Sequence, residues 1–127
     1  MTKQEIIEYN KRCAEFLGAE LYIPKPWYYF PKYNEHYYFK SRYEPNRFTL
    51  KMMKFHSDWN WIMEVVEAIE KLKYLVYIQS NFCLIQEIGS KENNFEPYIV
   101  ASKYGNTKKE AVVQAINQFL IWYNNEQ

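Results

Sequence analysis

YLVYIQSNFCLIQEI, residues 74–88, decides the fold. Runs 74–79 and 82–88 are rich in β-branched and aromatic residues, and Ser80-Asn81 between them has the length of a two-residue hairpin turn. A polar stretch, 89–96, leads to a further β-prone run at 97–102, so the spacing predicts a three-strand antiparallel meander.

Working outward to the C-terminus, Thr107 and Glu110 have the T-x-x-E spacing of a capping box, with Gly105-Asn106 in front as a turn. Val112, Ala115, Ile116, Phe119, Leu120 and Tyr123 then recur at helical steps, opposed by Lys108, Lys109, Gln114, Asn117 and Gln118. This is the pattern of a helix laid on a sheet.

Working outward to the N-terminus, a helix is expected from Ser57 or Asp58 to about Lys71. Its apolar stripe is Trp59, Ile62, Met63, Val66 and Ile69, and Glu64, Glu67 and Glu70 face water. Another helix spans 2–17, opened by a capping box at Thr2 and Glu5 and stopped by Gly18. Ile6, Tyr9, Cys13 and Leu17, with Ile7, Ala14 and Phe16, form its inward face. Between the two helices Pro24, Pro26, Pro31 and Pro45 exclude helix over most of the run. There 36–43 and 47–55 read as strands joined at Glu44-Pro45-Asn46, and 21–30 reads as a short strand or an extended loop. The expectation is one α+β domain over 1–127, a three-layer sandwich whose antiparallel sheet of about five strands is packed by three helices.

Bulk composition narrows the class. With 127 residues, 48% hydrophobic and 24% charged, the chain is globular rather than disordered. A net charge of +1 gives no global field for a polyanion or a membrane surface. No stretch has the length of a membrane span and the N-terminus lacks an apolar leader core, so a cytoplasmic protein is expected. Cys13 and Cys83 fall on a helix face and a strand and read as reduced, buried thiols.

Catalytic patterns lose to structural readings. His36 and His56 are the only histidines, and no serine sits in G-x-S-x-G. His56, Ser57 and Asp58 cluster at a helix start, where Asp58 reads as a cap rather than a metal ligand or an acid–base group. Gly18, Gly89 and Gly105 are scattered and make no phosphate cradle. No cofactor or metal is expected.

One segment departs from the average. Residues 22–56 hold Lys25, Lys32, Lys40, Arg42, Arg47, Lys51 and Lys54 against Glu35 and Glu44, a net +5 while the remainder sums to −4. They also hold 12 of the 25 aromatic residues. Rings interleaved with cations suit single-stranded nucleic acid, through stacking and phosphate neutralisation, and equally a protein interface. The competing reading is that the rings fill a core while the lysines face water. Trp27, Tyr28, Lys40, Arg42 and Arg47 are the candidate binding residues.

Three runs, LKMMKFHSDWNWIMEVVEAIE from Leu50, NFCLI from Asn81 and EAVVQAINQFLIWYN from Glu110, resemble small uncharacterised proteins of gut-bacterial genomes and phages related to the phage ABA sandwich domain. The resemblance covers roughly the C-terminal two thirds. It implies a sandwich fold and a mobile-element origin, and it carries over no functional residues. The expectation for function is a non-enzymatic binding or accessory module acting through a protein partner or self-association. The alternatives are a single-stranded nucleic-acid binder using 22–56, and a small hydrolase or nucleotide-handling enzyme using His56, Asp58 and Cys83.

Overall fold

The first helix shows how closely the chain ends follow local chemistry. In a computed structural model that describes residues 1–22, 27–30, 47–88 and 97–126, with the backbone alone at Tyr22 and Arg47, α1 spans Lys3–Phe16. The Glu5 amide donates to Thr2 Oγ1 at 3.1 Å and the Thr2 amide donates to Glu5 Oε1 at 3.2 Å, a complete capping box. At the other end Gly18 takes φ 84°, its amide donates to Glu15 O, and the Ala19 amide donates to Ala14 O. That pair of bonds is a Schellman motif, which a left-handed glycine makes at no steric cost.

The chain continues as β1 (Glu20–Tyr22), β2 (Trp27–Tyr29), β3 (Arg47–Phe48), α2 (Trp59–Lys71), β4 (Tyr74–Gln79), β5 (Phe82–Glu87), β6 (Ile99–Tyr104) and α3 (Lys108–Glu126). The class is α+β, but in place of the expected single sheet of about five strands the described residues form two antiparallel sheets, β1-β2-β3 and β4-β5-β6. The expected strand 47–55 ends at Phe48, because a turn follows in which the Met52 amide donates to Thr49 O. What remains, Arg47 and Phe48, pairs with Tyr29 and Tyr28 of β2. The expected strand 36–43 and the loop 89–96 lie outside the described residues. The described residues divide into two compact units, Met1–Trp61 and Ile62–Gln127, with the boundary inside α2.

In the first unit Tyr9, Cys13 and Ala14 of α1 and the C-cap Leu17 are buried, as are Phe30, Met53, Phe55 and Trp61. Phe30, Phe48, Phe55 and Trp61 meet edge to face with centroids 4.9–6.4 Å apart, Phe55–Trp61 being nearest and Phe30–Trp61 farthest. Such pairs add to the stabilisation that ring burial gives.

In the second unit the meander forms with Ser80 at φ 51° in the turn, and α3 lies on one face of the sheet. Cys83 and Ile85 are buried, and Tyr74 meets Phe119 of α3 edge to face at 5.0 Å. The third strand is shifted two residues beyond expectation, to 99–104. Pro97 has no amide to give a ladder, and a register shift at Ile85/Gln86 accommodates the consecutive buried pair Val100 and Ala101. Gln118 Oε1 accepts from the Ser102 amide at 3.2 Å, so α3 also satisfies part of the outer edge of β6. The opposite face of the sheet carries exposed Leu75, Tyr77, Ile99 and Tyr104.

In α2 the Asn60 amide donates to Asp58 Oδ1 at 2.8 Å, so Asp58 is the cap. Its apolar stripe is rotated from the expected one. Trp61, Ile62, Val65, Val66 and Ile69 are buried, while Trp59 and Met63 are more than one-third exposed. Glu64, expected in water, is buried, whereas Glu67 and Glu70 are exposed. Ile62, Val66 and Ile69 belong to both stripes, and taking Trp59 and Met63 in place of Trp61 and Val65 turns the face by about 60°, a sixth of a turn.

Gly105 joins β6 to α3 where a Cβ would come 2.6 Å from the Ala111 amide nitrogen. The same junction is tied to the β4–β5 turn, since the Gly105 amide donates to Asn81 O at 2.9 Å and Asn81 Nδ2 donates to Gly105 O at 2.8 Å. Gly105→Ala is therefore expected to lower stability in urea unfolding by about 2 kcal/mol, the order of an overpacked site. An unchanged midpoint would show that the junction gives way freely.

Candidate functional site

Of the five residues singled out by sequence, Trp27 and Tyr28 are those whose side chains lie among the described residues. Lys40 and Arg42 lie outside the described residues, and Arg47 is described by its backbone alone, opposite Tyr29. Trp27 and Tyr28 are adjacent on β2, and alternation along a strand sends them to opposite faces. Both are half-buried. Tyr29 shares Trp27's face and donates its hydroxyl to Glu20 Oε2 across the β1–β2 pair. The carboxylate acceptor holds the Tyr29 hydroxyl above its ordinary pKa. Of the remaining rings in 22–56, Phe30 and Phe55 are core.

Tyr28 contributes to a concave feature of the first unit. Leu21 stands opposite it on β1, and these two face a trough of about 560 Å³ lined also by Ile7 and Lys11 of α1 and by Thr49, Leu50 and Lys51. An adjoining pocket of about 320 Å³ shares Ile7 and Lys51 and adds Lys3, Ile6 and His56. The floor is aliphatic and the rim is cationic. Among the described lining residues there is no carboxylate. Lys11 reaches Glu15 at 3.9 Å along the helix, an exposed pair of little energetic weight, while Lys3 and Lys51 have no carboxylate partner among the described residues.

One buried amide sets the spacing of the walls. Asn10, fully buried on α1, donates both Nδ2 hydrogens, to Leu50 O at 2.8 Å and to Met53 O at 3.1 Å. Leu50 and Lys51 are thereby fixed against the helix that carries Ile7 and Lys11. Sequence reading missed Asn10, although a polar residue three and four positions from Ile6, Ile7, Cys13 and Ala14 sits in the middle of the apolar stripe and is a visible anomaly. Ile7 belongs to the apolar face of the first helix and Lys51 to the basic segment, whereas Leu21 and Leu50 carried no signal of their own.

The proposed nucleophile and base fare differently from one another. Burial pushes the Cys83 thiol up to about 12 and the Cys13 thiol well above its ordinary value, so neither is a thiolate at neutral pH. His56 is half-buried, burial lowers its pKa from 6.5, and its Nδ1 is enclosed with no hydrogen-bond partner among the described residues. Asp58 is occupied in capping α2. Among the described residues no three His, Cys, Asp or Glu side chains converge as metal ligands, and no helix is long and apolar enough to cross a membrane.

Two outcomes follow. Asn10→Ala is expected to cost about 2–3 kcal/mol in urea unfolding, and Asn10→Asp more, because it replaces the Nδ2 group and its two donors by one carboxylate oxygen facing two carbonyls. If Asp were tolerated as well as Ala, the two bonds would not be what holds the segment. Native protein at pH 7.5 is expected to leave a thiol-reactive dye unconsumed until denaturant is added, when both cysteines react. Labelling of the native protein would contradict the burial of the thiols.

No family model, curated protein or solved structure matches this chain.

Proposed function

We propose that this chain is a non-enzymatic binding module whose binding site is the trough between α1, the β1–β2 pair and residues 49–51. The observation that carries this reading is a preformed concavity of about 560 Å³, within the range of ligand sites, with an apolar floor of Ile7, Leu21, Leu50 and the Tyr28 ring. Its walls are fixed by the buried Asn10 amide rather than by flexible side chains, and a preorganised site loses less entropy on binding. Protonated, buried thiols and a capping Asp58 favour binding over catalysis by His56, Asp58 and Cys83. A stacking platform for single-stranded nucleic acid is favoured less, because Trp27 and Tyr28 diverge and Phe30 and Phe55 are core. An accessory role of phage or mobile-element origin rests on the resemblance of the three sequence runs.

Nile red, an uncharged apolar dye, tests the trough. The native protein is expected to raise its fluorescence, and Leu21→Glu, at a half-exposed position, to remove most of that rise while leaving the thermal midpoint unchanged. No enhancement by the native protein, or full enhancement by Leu21→Glu, would contradict the reading.

A further inference from the structure

The trough and the pocket beside it differ in chemistry, and the difference points to a class of ligand. The trough offers four apolar side chains, whereas the pocket brings Lys3, Lys51 and His56 around Ile6 and Ile7. Because Ile7 and Lys51 belong to both, a ligand with its apolar part in the trough reaches the cationic end without leaving the protein surface. We propose that the site takes a small amphipathic oxyanion, its chain or ring body lying over Ile7, Leu21, Tyr28 and Leu50 and its oxyanion held by Lys3, Lys51 and His56. This rests on the trough being the binding site.

Charge and hydrogen bonding both support it. Lys3 and Lys51 come from separate segments, α1 and the turn after β3, so their convergence is a product of the fold rather than of a basic run. An oxyanion between them offsets the mutual repulsion of two like charges. Carboxylate and phosphate oxygens make their strongest hydrogen bonds to charged donors, and ammonium groups and a protonated imidazole supply these. Among the described residues, the charged groups lining the pocket with His56 are Lys3 and Lys51, and the nearby Asp58 carboxylate already accepts from the Asn60 amide. Free His56 is held below its ordinary pKa by burial and is neutral at pH 7. A bound anion favours the protonated imidazole, so binding takes up a proton and tightens as pH falls through the His56 pKa of the complex.

The combined space also sets the scale. Volumes of about 560 and 320 Å³ belong to small molecules rather than to a folded partner. A single aliphatic tail of moderate length with one charged head matches an apolar floor that ends in one cationic pocket.

Displacement of Nile red by decanol, decanesulfonate, undecanoate and decyl phosphate at pH 7.5 tests the inference. The three anions share the apolar length of the alcohol and differ in the head group. At least one of carboxylate and phosphate is expected to bind about tenfold or more tightly than decanol, and which one it is identifies the natural head. Lys51→Gln and Lys3→Gln, both at exposed positions, are expected to erase most of that preference, read as the ratio of anion to decanol affinity in each variant. Decanesulfonate, which stays ionised throughout, is expected to bind more tightly at pH 5.5 than at 7.5 and to move the His56 Hε1 titration to higher pH. If decanol binds as tightly as every anion, the oxyanion inference is overturned and the trough reading stands. If Nile red binds but none of the four displaces it, the inference is likewise overturned. If Nile red itself does not bind, both fail. An unmoved His56 titration in the presence of bound decanesulfonate would overturn the role of the imidazole.

Discussion

Two hydrogen bonds from one buried amide hold together the part of this protein on which its functional reading depends. The segment after β3 has no ladder partner beyond Phe48, and turns occupy much of the stretch that leads to α2. Such a segment carries backbone carbonyls that must be satisfied if it is to lie against a helix. Asn10 satisfies two of them, at Leu50 and Met53, and does so from within the apolar stripe of α1. A carboxylate could not replace it, and an aliphatic residue would leave the carbonyls without donors. The trough is a consequence, since the residue after Leu50 is Lys51 and the turns of α1 flanking Asn10 carry Ile7 and Lys11.

The second unit is organised by a different constraint, the closure of a meander under one helix. The hairpin and α3 cover each other through Tyr74, Cys83, Ile85 and Phe119, and the Asn81–Gly105 bonds fasten the turn to the strand–helix junction. Here local signals and tertiary packing agree: β-branched alternation, a turn pair and a helical stripe all specify one arrangement. The first unit is less consistent, with strands of two or three residues, and its stability leans on the ring cluster and on Asn10.

That contrast explains what was legible in the sequence. The hairpin at 74–87, the capping box at Thr2, the Thr107 hydroxyl that caps α3, the glycine stop at Gly18 and the cap at Asp58 are local devices, and the sequence announces local devices directly. The two-sheet arrangement was not legible, because whether Phe48 continues a strand or turns depends on partners distant in sequence. The burial of Glu64 was missed for a related reason, as two tryptophans two residues apart both fit a helical stripe and only packing chooses Trp61. Of the candidate binding residues, Tyr28 reaches the trough, and the basic character of 22–56 enters the site through Lys51. Composition could flag that segment but could not say which rings were core.

Amide chemical-shift mapping with decanesulfonate locates the ligand on the protein without assuming an activity. Shifts are expected to concentrate at Ile7, Lys11, Leu21, Tyr28, Leu50, Lys51 and His56 and to saturate together with one affinity. Shifts confined to the exposed face of the β4–β6 sheet, around Leu75, Tyr77 and Tyr104, would contradict the trough as the binding site.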